Sequence, residues 1–279
     1  MNGARLGIAT QSVAISQAAY SEAKEYAVAR KQFGKAIVEL PPVYELLGKM
    51  KARLDAARSL LYETARNVDM SYQFADAARM RPLSPEERTE SKEFSKRADA
   101  LTPIIKGMGS EFANMNAYDA VQVHGGSGYM RDYVCERLYR DARITSIYEG
   151  TTQLQVVAAI RYATSGFYSQ LLEEYLAAAI PEALAPLHAR VEAMAATYNE
   201  AVAAVQGFGN QEVLDFLSRR LYEMAAYCIM AALLLADAAR DEELFDSSAA
   251  KFVAEAEAVV AAHSTFIKNF TPELLTQYK

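Results

Sequence analysis

Cysteine and histidine are scarce in this sequence, with two and three of them among 279 residues. Cys135 and Cys228 lie far apart and form no Cys-x-x-Cys spacing. Their number argues against a disulfide framework and fits a reducing compartment, so we expect a cytoplasmic protein. The histidines are scattered along the chain, and their spacing predicts no metal site.

The sequence also lacks an excess of basic residues and long apolar runs. The chain has 29 Lys and Arg residues against 35 Asp and Glu residues, a formal net charge of −6. A nucleic-acid-binding surface needs a basic excess, so we expect no binding to DNA or RNA. The longest uncharged apolar run, residues 224–236, is shorter than a bilayer-spanning helix, and no membrane span is expected.

Strand patterns are missing as well, since no run of any length alternates apolar and polar residues. This absence predicts an all-α fold. Between Val43 and Val68 apolar residues recur about every 3.5 positions, which is typical of a helix in an antiparallel bundle. We expect such a bundle over residues 1–165, followed by a second, smaller helical unit over residues 166–279.

The first helices can be delimited from their composition. A helix rich in alanine is predicted over residues 4–30, and its small side chains suggest close packing. A loop follows over residues 31–42, in which Gly34 and the Pro41-Pro42 pair end this helix and start the next one. Residues 70–83 are predicted to form a polar link.

Ser84 then caps a helix that ends near His124 and includes Met115 in its buried face. An acidic stretch, residues 237–243, is expected to separate the last two helices. Three apolar stripes predict the helices of the second unit, over residues 184–202, 214–235 and 252–266.

One carboxylate lies at a position suited to chemistry. Glu149 follows Ile147 and Tyr148 and precedes a glycine, and either Thr151 or Thr152 can cap the helix after it. Its side chain can reach into a cleft while its backbone is held, so it is a candidate base. An ordinary loop glutamate near a helix start is the alternative.

Two further clusters could bind a ligand. In RKQFG (residues 30–34) a guanidinium suits a phosphate and a phenyl ring suits a heterocycle, although an ordinary helix C-terminus has the same composition. In QVHGGSGY (residues 122–129) glycines allow a ligand to approach the backbone. This segment follows a helix rather than a strand, so the dinucleotide-binding fingerprint does not apply, and a helix-to-helix turn is the alternative.

In this order RKQFG, QVHGGSGY and ERLYRDARITSIYEGTTQLQ (residues 136–155) resemble the C-terminal helical domain of acyl-CoA dehydrogenases, over about the first three-fifths of the chain. The resemblance implies an FAD-dependent oxidoreductase of fatty acid metabolism that converts an acyl-CoA thioester into the trans-2-enoyl-CoA. A glutamate removes the α-proton, the β-hydrogen leaves as hydride to the flavin, and an electron-transfer flavoprotein takes the electrons. A homodimer or homotetramer is also implied.

The resemblance assigns roles to single residues. Glu149 matches the family's base, and the apolar residues beside it are expected to keep the site dry. Arg30 matches a segment that meets the FAD of a neighbouring subunit, which requires at least a dimer. The substrate is expected near Arg5, Gly150 and Arg161, and the positions that match cofactor contacts are Arg30, Gln32, Phe33, Gln122, Gly126, Thr151 and Gln153.

The sequence departs from the family pattern in two places near the expected site. Leu40 and Pro41 stand where the family usually has a glutamine that contacts the flavin. Residues 2–4 offer no carboxylate at the place where some relatives carry the base, which favours Glu149. Residues 75–101 and the unit after Gly166 exceed the common short form and resemble the subgroup that includes methylmercaptopropionyl-CoA dehydrogenase.

No counterpart of the family's N-terminal helical domain or middle β domain is recognised, so we expect a fragment that folds alone, binds FAD weakly or not at all, and is inactive. Two other functions are considered. A catalytically silent helical scaffold for oligomerisation or binding is one, although the intact YEGT motif speaks against it. An acyl-CoA oxidase, which passes electrons to oxygen, is the other; a nitroalkane oxidase is disfavoured because its base is an aspartate.

Overall fold

The computed structural model describes residues 2–279. Across this range α-helices dominate, and the strands found there are two of two residues each, which confirms the predicted all-α class. The chain divides into two compact units, of which the first ends at Thr152 and the second comprises Gln153–Lys279. The domain boundary expected after residue 165 stays a prediction.

Three long helices form the first unit, and they pack against one another. α1 and α3 run in the same direction, because Asn2 at the beginning of α1 contacts Asp99 in the first half of α3, and Tyr26 near the end of α1 stacks on His124 at the end of α3. The elements are α1 (Asn2–Ala29), β1 (Lys31–Gln32), β2 (Lys35–Ala36), a 3-10 helix (Ile37–Glu39), α2 (Pro41–Met80), α3 (Pro85–His124), α4 (Gly126–Tyr129) and α5 (Cys135–Thr145).

α2 runs antiparallel to α3. Arg53 near the beginning of α2 forms an ion pair with Asp119 near the end of α3, with 2.7 Å between nitrogen and oxygen. Phe74 near the end of α2 stacks on Phe94 near the beginning of α3, with ring centroids 6.0 Å apart. The antiparallel bundle predicted from the apolar spacing is therefore confirmed.

Alanines line the contact between α1 and α3. Their small side chains permit close approach of the two helices, as the composition suggested. Met115, predicted to be buried, is 42% exposed. An α-helix drifts by about 20° per heptad from a strict seven-residue pattern, so the last position of the predicted stripe turns out of the core. The buried alanines of this contact are Ala19, Ala23, Ala27, Ala113, Ala117 and Ala120.

The polar link predicted over residues 70–83 is wrong, because α2 continues as a helix to Met80. Most of this segment lacks glycine and proline, so its polar residues continue the helix as an exposed face. As predicted, Ser84 is the N-cap of α3: its hydroxyl accepts a hydrogen bond from the Glu87 N–H while the Glu87 carboxylate accepts one from the Ser84 N–H. This reciprocal pair is a capping box.

A short ribbon lies in the expected loop between α1 and α2. Its strands pair antiparallel, Lys31–Gln32 with Lys35–Ala36. At its tip Phe33 has φ 53° and Gly34 has φ 80°. Strands of two residues cannot show a period-two pattern, which is why the sequence did not indicate them.

The second unit is built around α9, which packs against α7, α8 and α10. The three helices predicted from apolar stripes are all present. The break between the last two is confined to Asp241, because the acidic residues before and after it lie in helices. The elements are α6 (Thr152–Thr164), α7 (Phe167–Leu176), a 3-10 helix (Glu182–Leu184), α8 (Ala185–Gly207), α9 (Gln211–Arg240), α10 (Glu242–Lys268) and a 3-10 helix (Pro272–Gln277).

By length and mean hydropathy alone, α9 could cross a membrane. The sequence did not indicate this, because the uncharged run over residues 224–236 is shorter than the helix. However, 78% of its most apolar window is buried inside the structure. A helix that is apolar on most sides and covered by its neighbours is typical of a protein core. Among residues 2–279 it is the one helix that meets this test.

Candidate active site

The turn that carries Glu149 has a left-handed backbone. α5 ends at Thr145, and Glu149 follows with φ 54° and Gly150 with φ 92°. The Thr152 N–H then donates to the Ser146 carbonyl oxygen at 3.0 Å, which closes the turn at the beginning of α6. A left-handed conformation costs a residue other than glycine about 1 kcal/mol, so it persists only where the surroundings impose it.

Hydrogen bonds to α1 and α3 impose this conformation, and they hold the chain on both sides of Glu149. Two of these hydrogen bonds are formed with side chains of α3 and one with a side chain of α1. They run from Lys106 Nζ to the Gly150 carbonyl oxygen (2.5 Å), from the Thr152 hydroxyl to Glu111 Oε1 (2.7 Å), and from the Tyr148 hydroxyl to Gln11 Oε1.

Lys106 is fully buried, with 0% of its surface exposed. Burial and the neighbouring Arg5 cation lower the pKa of its ammonium to about 8, against the opposite effect of the Glu111 and Glu149 carboxylates. Arg5 and Glu149 therefore both lie within electrostatic reach of Lys106. The structure thus places the predicted base Glu149 close to Arg5 and Gly150, two of the residues predicted near the substrate.

The carboxylate of Glu149 is on the outside of this unit. Glu149 is exposed, and Ile147 beside it is 43% exposed. The dry surroundings expected from the flanking residues are therefore not provided by Ile147 in this chain. A further surface would have to cover the turn to exclude water.

The three residues predicted to meet a cofactor from a neighbouring subunit lie on and beside the short ribbon. Arg30, Gln32 and Phe33 are all exposed, and the Phe33 ring is 82% exposed at the tip. An exposed guanidinium and an exposed ring on one ribbon fit the phosphate and the heterocycle of a flavin nucleotide.

The glycine turn between α3 and α4 lies at the same end of the bundle as the ribbon. Tyr26, whose carbonyl oxygen accepts a 2.8 Å hydrogen bond from the Arg30 N–H, stacks on His124 with ring centroids 4.2 Å apart. Gln122 and Gly126 are exposed beside this stack. The structure thus brings together the two predicted cofactor-binding segments of the first unit.

An open cleft of about 620 Å³ lies next to the glycine turn. Its lining includes Gly128 and Tyr129 of the glycine motif, and also Arg131 and Asp132, which lie outside the motifs found in the sequence. Their position directly after the glycine turn could have indicated them, because the residues that follow such a turn line any ligand site beside it.

The Glu149 turn and the glycine turn are far apart within the first unit. Lys106, which holds the first, and Gln122, which borders the second, both lie on α3. At 1.5 Å per residue their separation is about 24 Å. The predicted base and the predicted ribbon contacts therefore belong to two distinct places on the bundle.

The remaining predicted residues lie at the beginning of α6 and along it. Thr151 is exposed directly before α6. Gln153 and Arg161 are exposed and belong to the second unit. The Arg161 guanidinium donates to the Tyr162 hydroxyl at 2.7 Å and lies over the same ring, 4.7 Å from its centroid.

Both cysteines are free thiols, and Cys135 Sγ lies 3.4 Å from His124 Nδ1. Cys135 and Cys228 are both buried and unbridged, and burial raises the pKa of their thiols to about 11 and about 12. Within residues 2–279 no group of three or more His, Cys, Asp or Glu side chains is arranged to hold a metal ion.

Sequence reasoning missed the residues that hold the Glu149 turn. Lys106 gave a signal that could have been used, because it is a lone lysine inside the apolar run Ile104–Met108. Glu111 and Gln11 gave none, since an acid or an amide on a long helix is ordinary.

Two family models match the chain, one after the other. The model described as the acyl-CoA dehydrogenase C-terminal domain matches residues 1–162, and the model described as acyl-CoA dehydrogenase C terminal matches residues 164–275. The first alone covers more than half of the chain.

The chain belongs to the acyl-CoA dehydrogenase family.

Among its curated relatives, the caffeyl-CoA reductase–Etf complex subunit CarC of Acetobacterium woodii is 37% identical over 151 residues, which is 54% of this chain and 34% of that protein. An acyl-CoA dehydrogenase of Bacillus subtilis is 36% identical over 166 residues, which is 60% of this chain and 38% of that protein. The chain thus spans little more than a third of the length of these relatives.

Two solved structures share the fold of this acyl-CoA dehydrogenase family chain. An acyl-CoA dehydrogenase from Bacillus anthracis, complexed with FAD, has a TM-score of 0.75 at 24% identity and covers 99% of this chain and 50% of its own. Caenorhabditis elegans ACDH-11, in complex with C11-CoA, has a TM-score of 0.71 at 22% identity and covers 97% of this chain and 47% of its own. The resemblance to the methylmercaptopropionyl-CoA dehydrogenase subgroup stays a prediction.

Proposed function

We propose that this chain supplies the catalytic base of a flavin-dependent acyl-CoA dehydrogenase, in which Glu149 removes the α-proton of an acyl-CoA thioester. The Glu149 turn carries the proposal. It presents an exposed carboxylate on a left-handed backbone that is tied to α1 and α3 on both sides of the residue. A base held in this way meets an α-C–H bond in a fixed geometry, which general base catalysis requires.

The proposed substrate contacts come from the family resemblance and, for Arg5, also from its position within electrostatic reach of Lys106. We expect Arg5 and Arg161 to bind the anionic part of the CoA thioester and Gly150 to lie against the acyl group. The Glu149 N–H is expected to donate to the thioester oxygen, because stabilising the enolate-like charge makes the α-proton removable by a carboxylate.

The ribbon and the glycine turn are proposed to hold FAD. FAD, when bound, supplies the two-electron acceptor for the hydride from the β-carbon, and the product is the trans-2-enoyl-CoA. The separation of about 24 Å along α3 supports a role for Arg30, Gln32 and Phe33 at the flavin of a second copy, and hence at least a dimer. Gln122, Gly126, Thr151 and Gln153 would complete the cofactor contacts.

The same site could also catalyse the reverse reaction, the reduction of an enoyl-CoA thioester. Two of the relatives are described as reductases, which is why this direction is tested as well. Relatives from Acetobacterium woodii and Clostridium sporogenes are described as a caffeyl-CoA reductase subunit and a 3-(aryl)acrylate reductase. In that direction Glu149 would donate a proton to the α-carbon of an enoyl-CoA. An electron-transfer flavoprotein is the proposed redox partner, since the first of these relatives is described as part of an Etf complex.

The test is an anaerobic titration of the protein at its natural full length with a panel of acyl-CoA thioesters, in which flavin absorbance is recorded. Glu149→Gln is the test variant. Glu90→Gln is the matched control, because Glu90 is exposed on α3 about 24 Å before Lys106. Reduced enzyme is then mixed with enoyl-CoA thioesters to measure the reverse direction.

Bleaching in the wild type and in Glu90→Gln, but not in Glu149→Gln, is the expected result. Equal bleaching in all three would exclude Glu149 as the base. Bound flavin that bleaches with no thioester would favour the silent scaffold, and rapid reoxidation by oxygen would identify an oxidase. Because Glu149 and Ile147 are exposed, we expect the 279-residue chain by itself to be inactive.

A further inference from the structure

Lys106 is an unusual residue for the middle of a bundle helix. It is fully buried and follows Ile104 and Ile105 in an apolar segment of α3. Removing an ammonium from water costs several kcal/mol unless hydrogen bonds and opposite charges compensate it. A lysine at such a position therefore needs a partner whose interaction offsets the free-energy cost of removing its ammonium from water.

That partner is the backbone next to the proposed base. Lys106 Nζ donates to the carbonyl oxygen of Gly150 at 2.5 Å, across 44 residues of sequence. A hydrogen bond from a charged donor is about twice as strong as one between neutral groups. The bond therefore fixes the orientation of the Gly150–Thr151 peptide unit, which lies one residue after Glu149.

The orientation of this peptide matters because the turn is strained. Glu149 has φ 54°, which a glutamate rarely adopts, and Gly150 continues the left-handed turn with φ 92°. Without an external constraint, Glu149 would relax toward a negative φ, and its side chain would point elsewhere. The Thr152–Glu111 hydrogen bond holds the far side of the turn, but it does not act on the Gly150 carbonyl.

We propose that Lys106 is a positioning residue for Glu149, and that its hydrogen bond to the Gly150 carbonyl keeps the base in its reactive orientation. This inference rests on the proposed function, because it concerns the efficiency of the same base. Lys106 does not take the proton; it acts through the backbone. Moving a catalytic group by about 1 Å can cost about 100-fold in rate.

The test compares Lys106→Met, Lys106→Gln and the control Lys92→Met in the protein at its natural full length. Methionine keeps most of the length and apolar packing of the side chain but has no donor, whereas the glutamine amide can still donate to a carbonyl. Lys92 is exposed on the same helix. Stopped-flow flavin reduction at saturating acyl-CoA gives the rate of the chemical step, and its concentration dependence gives the substrate Kd.

We expect the reduction rate to fall about 100-fold in Lys106→Met with a Kd within about threefold of the wild type, and to recover at least partly in Lys106→Gln. Lys92→Met should behave as the wild type. A wild-type reduction rate in Lys106→Met would overturn the inference, as would an equal loss in rate and affinity. If Lys106→Met does not fold, a rate in Lys106→Gln below 1% of the wild type would overturn it, because the donor is retained.

Failure of the proposed function gives a different pattern. In that case the wild type does not bleach with any thioester, or Glu149→Gln bleaches as fast as the wild type. Only when the wild type bleaches and Glu149→Gln does not is the comparison of Lys106 variants decisive.

Discussion

Gly128 lies against His124 so closely that a Cβ atom on Gly128 would be 2.7 Å from the His124 Cβ and 2.8 Å from the Val121 carbonyl oxygen. This contact folds the short helix α4 back onto the end of α3. It is specific to one of the neighbouring glycines, because a Cβ on Gly126 would meet nothing within 4 Å.

Gly128→Ala should therefore destabilise the chain by about 1–3 kcal/mol, the usual cost of an overpacked site. Gly126→Ala is the matched control and should change the free energy of unfolding by less than about 1 kcal/mol. Urea unfolding of the 279-residue chain measures both. Equal effects would show that α4 can move away from α3 at little cost.

The left-handed backbone at Glu149 predicts that a substitution there can increase the stability of the chain while it abolishes activity. Asparagine adopts positive φ more readily than glutamate, so Glu149→Asn should raise the free energy of unfolding by up to about 1 kcal/mol while it abolishes flavin reduction. Glu90→Asn, in the interior of α3, should instead lower stability by a few tenths of a kcal/mol. A clear loss of stability in Glu149→Asn would contradict the assignment of strain to this residue.

The depressed pKa of Lys106 predicts a pH dependence. Its ammonium has a pKa of about 8 in the folded chain against 10.5 for an ordinary lysine, so between these values the unfolded chain binds more protons. The free energy of unfolding of the wild type relative to Lys106→Met should therefore increase from pH 8 to pH 10.5, by at most about 1.4 kcal/mol per pH unit.

The difference between the two proteins is the quantity to measure, because buried thiols act in the opposite direction. The raised pKa values of Cys135 and Cys228 make the folded chain lose stability at high pH, but equally in both proteins. A difference that is flat over this range would show that Lys106 keeps an ordinary pKa.

Glu223 predicts a second pH dependence, in the second unit. Burial raises the pKa of its carboxyl, but hydrogen bonds from His263 and Arg219 outweigh burial and lower it below 4.5. The unfolded chain therefore binds this proton first, and the stabilisation is present above pH 4.5 and lost as the pH falls below it. Unfolding of the wild type and Glu223→Gln should converge at low pH. Glu200→Gln, which removes one side of an exposed ion pair with Lys268, should show a much smaller pH effect.

Features that depend on residues close together in sequence were predictable. The helices of both units follow from apolar residues at helical spacing, and the start of α3 follows from Ser84 and Glu87, three residues apart. The family follows from motifs that are each local. The length of α2 was mispredicted because polar composition was taken as a sign of a link, whereas a helix with one exposed face has the same composition.

The surroundings of the proposed base could not be predicted in this way. Lys106 meets Gly150 across 44 residues and Tyr148 meets Gln11 across 137, and neither pairing leaves a trace in the local pattern. Burial of one lysine and exposure of one glutamate are set by how α1, α3 and α5 pack, since side chains of the same type lie on the surface of α3 as well. The amino-acid sequence was thus sufficient for most of the helices, the family and the candidate base, and the packing of the bundle decided which groups hold that base and how far it is from the ribbon.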